Sequence, residues 1–158
     1  MQINELLLKN FGKFHDRQID LEEGINLIHG ENESGKSTIH TFIKGMLFGL
    51  ERGRGRAAQN DTFSIYEPWD NPNYYSGTLK FASGGKHFRI ERNFAKYSKK
   101  AELVCIEDGE VLSVEDGDLR MLLGEMNVDR YENTVSMSQR NAQMGESMAM
   151  ELKNYASN

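Results

Sequence analysis

The sequence predicts an α/β fold, with a mixed sheet, one helix behind a phosphate-binding loop, and an antiparallel meander beside it. Three observations carry that expectation. Residues 29–38, His-Gly-Glu-Asn-Glu-Ser-Gly-Lys-Ser-Thr, satisfy the pattern G-x-x-x-x-G-K-[ST], with Gly30, Gly35, Lys36 and Ser37 at its fixed positions. The pattern is framed as its chemistry requires, because residues 25–28 (Ile-Asn-Leu-Ile) read as a short buried strand and residues 38–47 as a helix. Downstream, two pairs of alternating segments close on glycine turns, one at Ser83-Gly84-Gly85 and one at Asp108-Gly109.

Taken in order, residues 3–11 predict a strand through Leu6-Leu7-Leu8, Gly12 a turn, and residues 17–21 a second strand with Ile19 and Leu21 on one face. Gly24 breaks the chain before the phosphate-loop strand, so three strands precede the first helix. That helix carries Ile39, Phe42, Ile43, Met46 and Leu47 as one apolar stripe, and Gly49 ends it. Residues 51–60 have almost nothing to bury and predict a flexible surface loop, part of an insertion at about 50–73. The insertion also holds both prolines and the only tryptophan, and its Tyr66-Glu67-Pro68-Trp69 segment is expected to pack irregularly; Tyr66 and Trp69 are admissible as rings that stack on a base, although local packing is the simpler reading.

Alternation at 78–81 and 87–92 predicts one hairpin, and residues 103–106 with 111–112 a second. Asp116 is the expected cap of a helix carrying Leu119, Leu122 and Leu123, with Gly124 after it. A short helix at 128–134, a strand-like run at 135–138 ending at Gln139, and a helix at 142–155 complete the reading.

Each position of the phosphate loop has a physical reason. Glycines let the backbone turn tightly and direct successive N–H groups at a phosphate chain, toward which the following helix also points its positive end. Lys36 supplies a charge for the β- and γ-phosphates, and Ser37 a hydroxyl for Mg²⁺. Composition narrows the rest. At 158 residues the chain is one domain's worth, and a net charge of −5 gives no global basic footprint for nucleic acid. Cys105 is the only cysteine, which excludes an intrachain disulfide and a Cys-based zinc cluster. No secretory signal or membrane-spanning run is present, so a soluble, cytoplasmic protein with no membrane partner is expected.

Residues 1–48 resemble the amino-terminal lobe of the SMC/SbcC/RecF-like, ABC-class ATPases. The shared order is a strand ending in Lys9-Asn10-Phe11, a second strand, Glu23-Gly24-Ile25-Asn26-Leu27-Ile28, and then the Walker A loop. Asn10-Phe11-Gly12-Lys13-Phe14, Tyr66-Glu67-Pro68-Trp69 and the run from Tyr131 to Gln139 look most like the bacterial YhaN-like AAA branch. The resemblance implies a P-loop NTPase half-domain that binds ATP and Mg²⁺. It assigns nucleotide contacts to Gly30, Asn32, Glu33, Ser34, Gly35, Lys36, Ser37, Thr38 and Lys13, catalytic roles to Lys36 and Gln139, and the metal to Ser37 and Gln139, the last as a Q-loop glutamine. The partners implied are a C-terminal lobe of the same protein, a second ATPase head, DNA and a nuclease.

Two departures matter. Where SbcC-like proteins often place an arginine and a small polar residue after Asn-Phe, this chain has Gly12 and Lys13. The Walker B acids, signature loop and switch histidine are missing. Leu103-Val104-Cys105-Ile106-Glu107-Asp108 has its acids in reversed order before a glycine, so a hairpin turn is the simpler reading, and Ser83-Gly84-Gly85 sits at a hairpin tip. These absences, and a helical pattern that stops midway, predict the N-terminal lobe of a longer ATPase that hydrolyses ATP only with the missing lobe. A compact P-loop kinase and a non-hydrolysing nucleotide-binding scaffold are the alternatives. Arg52, Arg54 and Arg56, and the cluster Arg89, Arg92, Lys96, Lys99 and Lys100, are admissible nucleic-acid contacts, although solvated surfaces account for both.

Overall fold

A computed structural model describes residues 1–24, 35–56, 61–124 and 128–131. It divides into two compact units, Met1–Leu123 and Gly124–Asn158. Within the second, the described residues form only the short helix α4 (Val128–Arg130). The predicted strands at 25–28 and 135–138 and the helix at 142–155 lie outside the described residues.

Among the described residues, the first unit is built on one six-stranded sheet. Strand β1 (Gln2–Phe11) turns at Gly12, whose φ of 57° favours glycine, into β2 (Phe14–Asp20). The first predicted hairpin is β3 (Ser76–Ser83) and β4 (Lys86–Asn93), closed by Gly84 and Gly85 with φ of 59° and 79°. The second is β5 (Lys100–Cys105) and β6 (Val111–Leu112). The sheet order is β2-β1-β3-β4-β5-β6, and every pair among the described strands is antiparallel.

Register decides which side of this sheet is core. Leu6 pairs with Leu79, Leu79 with Ile90, and Ile90 with Leu103, so all four share one face and none is exposed. Phe81, Phe88 and Cys105 extend that face. Each large apolar side chain buried there contributes about 1.5–3 kcal/mol of transfer free energy. Lys9 and Glu91 make an ion pair of 2.7 Å, and Lys80 approaches Glu5 at 3.5 Å, by contrast between half-exposed side chains.

Helix α1 (Lys36–Phe48) covers the core face, packing on β1, β3 and β4 through Ile39, Phe42, Met46 and Leu47. Its end matches the expected glycine stop, because Gly49 has φ of 85° and donates its N–H to the Gly45 carbonyl at 2.7 Å. The Phe42 ring lies edge-on to Phe11, 5.2 Å between centroids, in a cluster that also holds Tyr75 and Phe94.

Part of the stretch read as a flexible insertion is ordered against this cluster. Helix α2 (Thr62–Tyr66) is capped by Asp61, whose carboxylate accepts from the Ser64 N–H at 2.8 Å. Phe63 is buried, and its carbonyl accepts from the Tyr75 hydroxyl at 3.1 Å. Tyr66 stacks on Phe11, and Pro68 is fully buried. Trp69 does not pack as expected. With Tyr66 and Pro68 occupying the inward positions, the indole is left 97% exposed. Helix α3 (Asp118–Leu122) starts at Gly117 in the left-handed region, and not at a side-chain cap on Asp116. The local signal is Asp118 instead, which accepts from the Ser113 N–H at 2.7 Å.

Candidate phosphate site at the start of helix α1

The first turn of α1 is arranged to attract negative charge. Its N-cap is Gly35, with φ of 93°, and Gly35 O accepts the first intrahelical bond from the Ile39 N–H at 3.0 Å. No acidic residue lies in that turn, so no carboxylate of the helix itself offsets its positive end. Ser37 is exposed, Lys36 half-buried and Thr38 buried.

Folding brings the β1–β2 turn to the same place. A methyl group added at Gly35 would lie 2.4 Å from Phe14 Cζ and 3.0 Å from Lys13 Cε, so both side chains rest against the helix start. At Gly12 an added Cβ would meet Thr38 Cγ2 at 3.1 Å and Tyr66 Cδ1 at 3.3 Å. The Gly12 N–H donates to the Tyr66 carbonyl at 2.8 Å, which fixes the end of α2 to this turn. Glycines at 12 and 35 are therefore demanded twice, by backbone conformation and by close approach.

Of the site residues expected from the sequence, the structure gathers Lys13, Gly35, Lys36, Ser37 and Thr38 around the start of α1. Gly30, Asn32, Glu33, Ser34 and Gln139 lie outside the described residues. Sequence reasoning did not foresee a cleft of about 480 Å³ beside the site, whose lining joins Lys13 and Thr38 to Ile65, Glu67, Trp69 and Asp70. The one available signal was a lone tryptophan in a proline-bounded segment.

The acids weighed as a Walker B pair serve a turn. Glu107 accepts from the His87 N–H at 3.0 Å and meets His87 Nδ1 at 2.5 Å, a contact that lowers its pKa to about 2. Asp108 accepts from the Glu110 N–H at 2.9 Å and faces Lys86 at 3.7 Å. Both lie in the turn that follows β5.

Arg92 also departs from its expected setting in a solvent-facing cluster. It is 9% exposed on the core face of β4, and its Nε donates to the Met46 carbonyl at 2.7 Å. Register is the reason, since Arg92 alternates with Phe88 and Ile90 on the buried side. Lys96, Lys99 and Lys100 remain exposed, as do Arg52, Arg54 and Arg56.

The family model described as the AAA domain matches residues 5–154. The DNA double-strand break repair Rad50 ATPase of Archaeoglobus fulgidus is 36% identical over 90 residues, covering 57% of this chain and 9% of that protein. The DNA replication and repair protein RecF of Bacillus cytotoxicus is 29% identical over 128 residues, or 81% of this chain and 30% of RecF. The Rad50 ATPase of Thermoplasma volcanium is 28% identical over 158 residues, 99% of this chain and 17% of its own length. The chain thus spans less than a third of each of these relatives. A solved structure described as structural biochemistry of ATP-driven dimerization and DNA stimulated activation of SMC ATPases matches with a TM-score of 0.58 and 16% identity, covering 98% of both chains. That likeness bears on the fold, and it agrees with the P-loop half-domain expected from the sequence.

Proposed function

This chain belongs to the AAA domain family, with SMC/Rad50/RecF-like relatives of the ABC class, and from that premise we propose that it is the N-terminal, Mg·ATP-binding lobe of an ATPase head. The observation that carries the reading is the start of α1, where Gly35 is left-handed, the first turn holds no acid, and Lys13 rests against the glycine. An anion fits there, because the helix N–H groups and the Lys13 side chain meet at the turn that carries Lys36, where no acid of the helix's first turn opposes them.

In this reading Lys36, Lys13 and the loop residues Gly30, Asn32, Glu33 and Ser34 hold the phosphates. Ser37 and Gln139 hold Mg²⁺, and Gln139 also responds to the γ-phosphate. The metal, when bound, offsets the charge of the β- and γ-phosphates. This lobe's own contribution is binding and orientation. Glu107 and Asp108 are committed to a hairpin turn, so the carboxylate that activates water comes from a C-terminal lobe. Closure against a second head completes the site. The whole protein acts in the cytoplasm on DNA, in repair or chromosome maintenance, with a nuclease as a candidate partner. The relatives, a double-strand break repair Rad50 ATPase and a RecF replication and repair protein, support that setting.

Titration calorimetry tests the binding step. Lys36→Ala is expected to weaken Mg·ATP by roughly 10- to 100-fold, the worth of charge-assisted hydrogen bonds to phosphate. ATP turnover is expected only when a C-terminal lobe is supplied. Turnover by the chain alone, abolished by Glu107→Gln, would overturn the reading. Phosphate transfer to a small acceptor without the second lobe would point to a kinase instead.

A further inference from the structure

Trp69 is 97% exposed although the chain on both sides of it is held in place. Before it, Pro68 is buried and Tyr66 is stacked on Phe11. After it, the Tyr74 N–H donates to the Asn71 carbonyl at 3.0 Å, and the Tyr74 carbonyl accepts from Asn10 Nδ2 at 2.6 Å. The backbone that carries the indole is thus held on both sides, and the exposed ring has a full aromatic face available for stacking.

Its surroundings identify what would stack there. Trp69 lines the same cleft of about 480 Å³ as Lys13 and Thr38, a size in the ordinary range for small-molecule sites. The cleft reaches the start of α1 because position 12 is glycine, whose absent side chain would have met Thr38. Its charges are ordered by segment, with His15 of β2 also in the lining and 4.0 Å from Asp70. The cation Lys13 and the helix start suit phosphates, whereas Glu67 and Asp70, on the same segment as Trp69, repel them. The wall holding the indole, the half-exposed Ile65 and two carboxylates therefore suits a planar base and ribose, whose amino and hydroxyl groups donate to carboxylates.

We propose that Trp69 is the platform on which the base of the bound nucleoside triphosphate stacks. This rests on the phosphate site proposed above and adds to it the residue that distinguishes a nucleotide from a bare polyphosphate.

The chain has one tryptophan, so its emission reports this position alone. Mg·ATP and Mg·tripolyphosphate are titrated into the wild type, Trp69→Ala and Trp69→Phe, by calorimetry for all three and by emission for the wild type. ATP is expected to quench the emission, while tripolyphosphate binds and leaves it unchanged. Trp69→Ala should weaken ATP roughly tenfold, as loss of one base–aromatic stack does. It should leave tripolyphosphate unaffected, and Trp69→Phe should restore most of the loss. ATP binding with unchanged emission and unchanged affinity in Trp69→Ala overturns the proposal and leaves the phosphate site standing. Failure of the wild type to bind either ligand overturns both.

Discussion

Glu107 sits where its carboxylate can accept from both the backbone N–H and the ring of His87, and it also receives the Cys105 thiol at 3.5 Å. The His87 side-chain bond is the largest of the influences, ahead of the His87 backbone N–H, that together lower its pKa from 4.5 to about 2. A folded pKa below the unfolded one means that the ionised form is favoured by folding. That contribution is complete above about pH 4.5 and fades as the pH falls toward 2. Titration of the Glu107 carboxyl by NMR should give a midpoint near 2 in the wild type and a higher one in His87→Ala, which loses the ring contact but keeps the backbone N–H. A midpoint unmoved by His87→Ala would refute the assignment. The turn at Glu107 and Asp108 was legible in the sequence because Asp-Gly chemistry is local. The His87 partner was not, since it lies on the neighbouring strand and only the register brings it across.

Helix α1 was legible as an element, from its apolar period and its glycine stop. Its anchor was not. The last turn contains no basic residue of its own, yet Arg92 on β4 donates to the carbonyls of Met46 at 2.7 Å and Leu47 at 3.5 Å. A cation there satisfies carbonyls that the helix leaves without intrahelical partners and complements the negative end of its dipole. Burial lowers the Arg92 pKa, and the group still keeps its proton, because guanidinium does not deprotonate in proteins. Arg92→Met should destabilise the fold by about 2–3 kcal/mol, since it leaves buried carbonyls unsatisfied. Arg92→Lys should recover part of that, having charge without the fork that reaches two acceptors. Urea denaturation midpoints would measure both, and equal midpoints for wild type and Arg92→Met would dismiss the anchor.

At the scale of the first unit, the sheet places the helix, and the helix places the candidate site. The closest approach is at Gly77 on β3, where an added Cβ would come 2.2 Å from Phe42 Cε2 and 3.0 Å from the Leu7 carbonyl. Gly77→Ala must therefore displace the Phe42 ring and strain the seating of α1 on the sheet. We expect a loss of about 1–3 kcal/mol, as overpacking typically costs. Weaker Mg·ATP binding should accompany it, because Lys36 and Ser37 ride on that helix. Thermal unfolding and calorimetry on the same variant test the coupling. Lost stability with unchanged affinity would separate helix placement from the site.

Local chemistry is what the sequence determined by itself: the phosphate-loop pattern, the amphipathic helix after it, the glycine turns and the two hairpins. Each depends on residues within a few positions of one another, so backbone sterics and apolar periodicity suffice. Meetings between distant segments were decided only by the tertiary structure. It set Lys13 and Phe14 against Gly35, carried Trp69 to a cleft shared with Thr38, and turned Arg92 inward to the end of α1. Those placements follow from strand register and close helix–sheet packing, in which shifting a strand by one residue exchanges its buried and exposed faces.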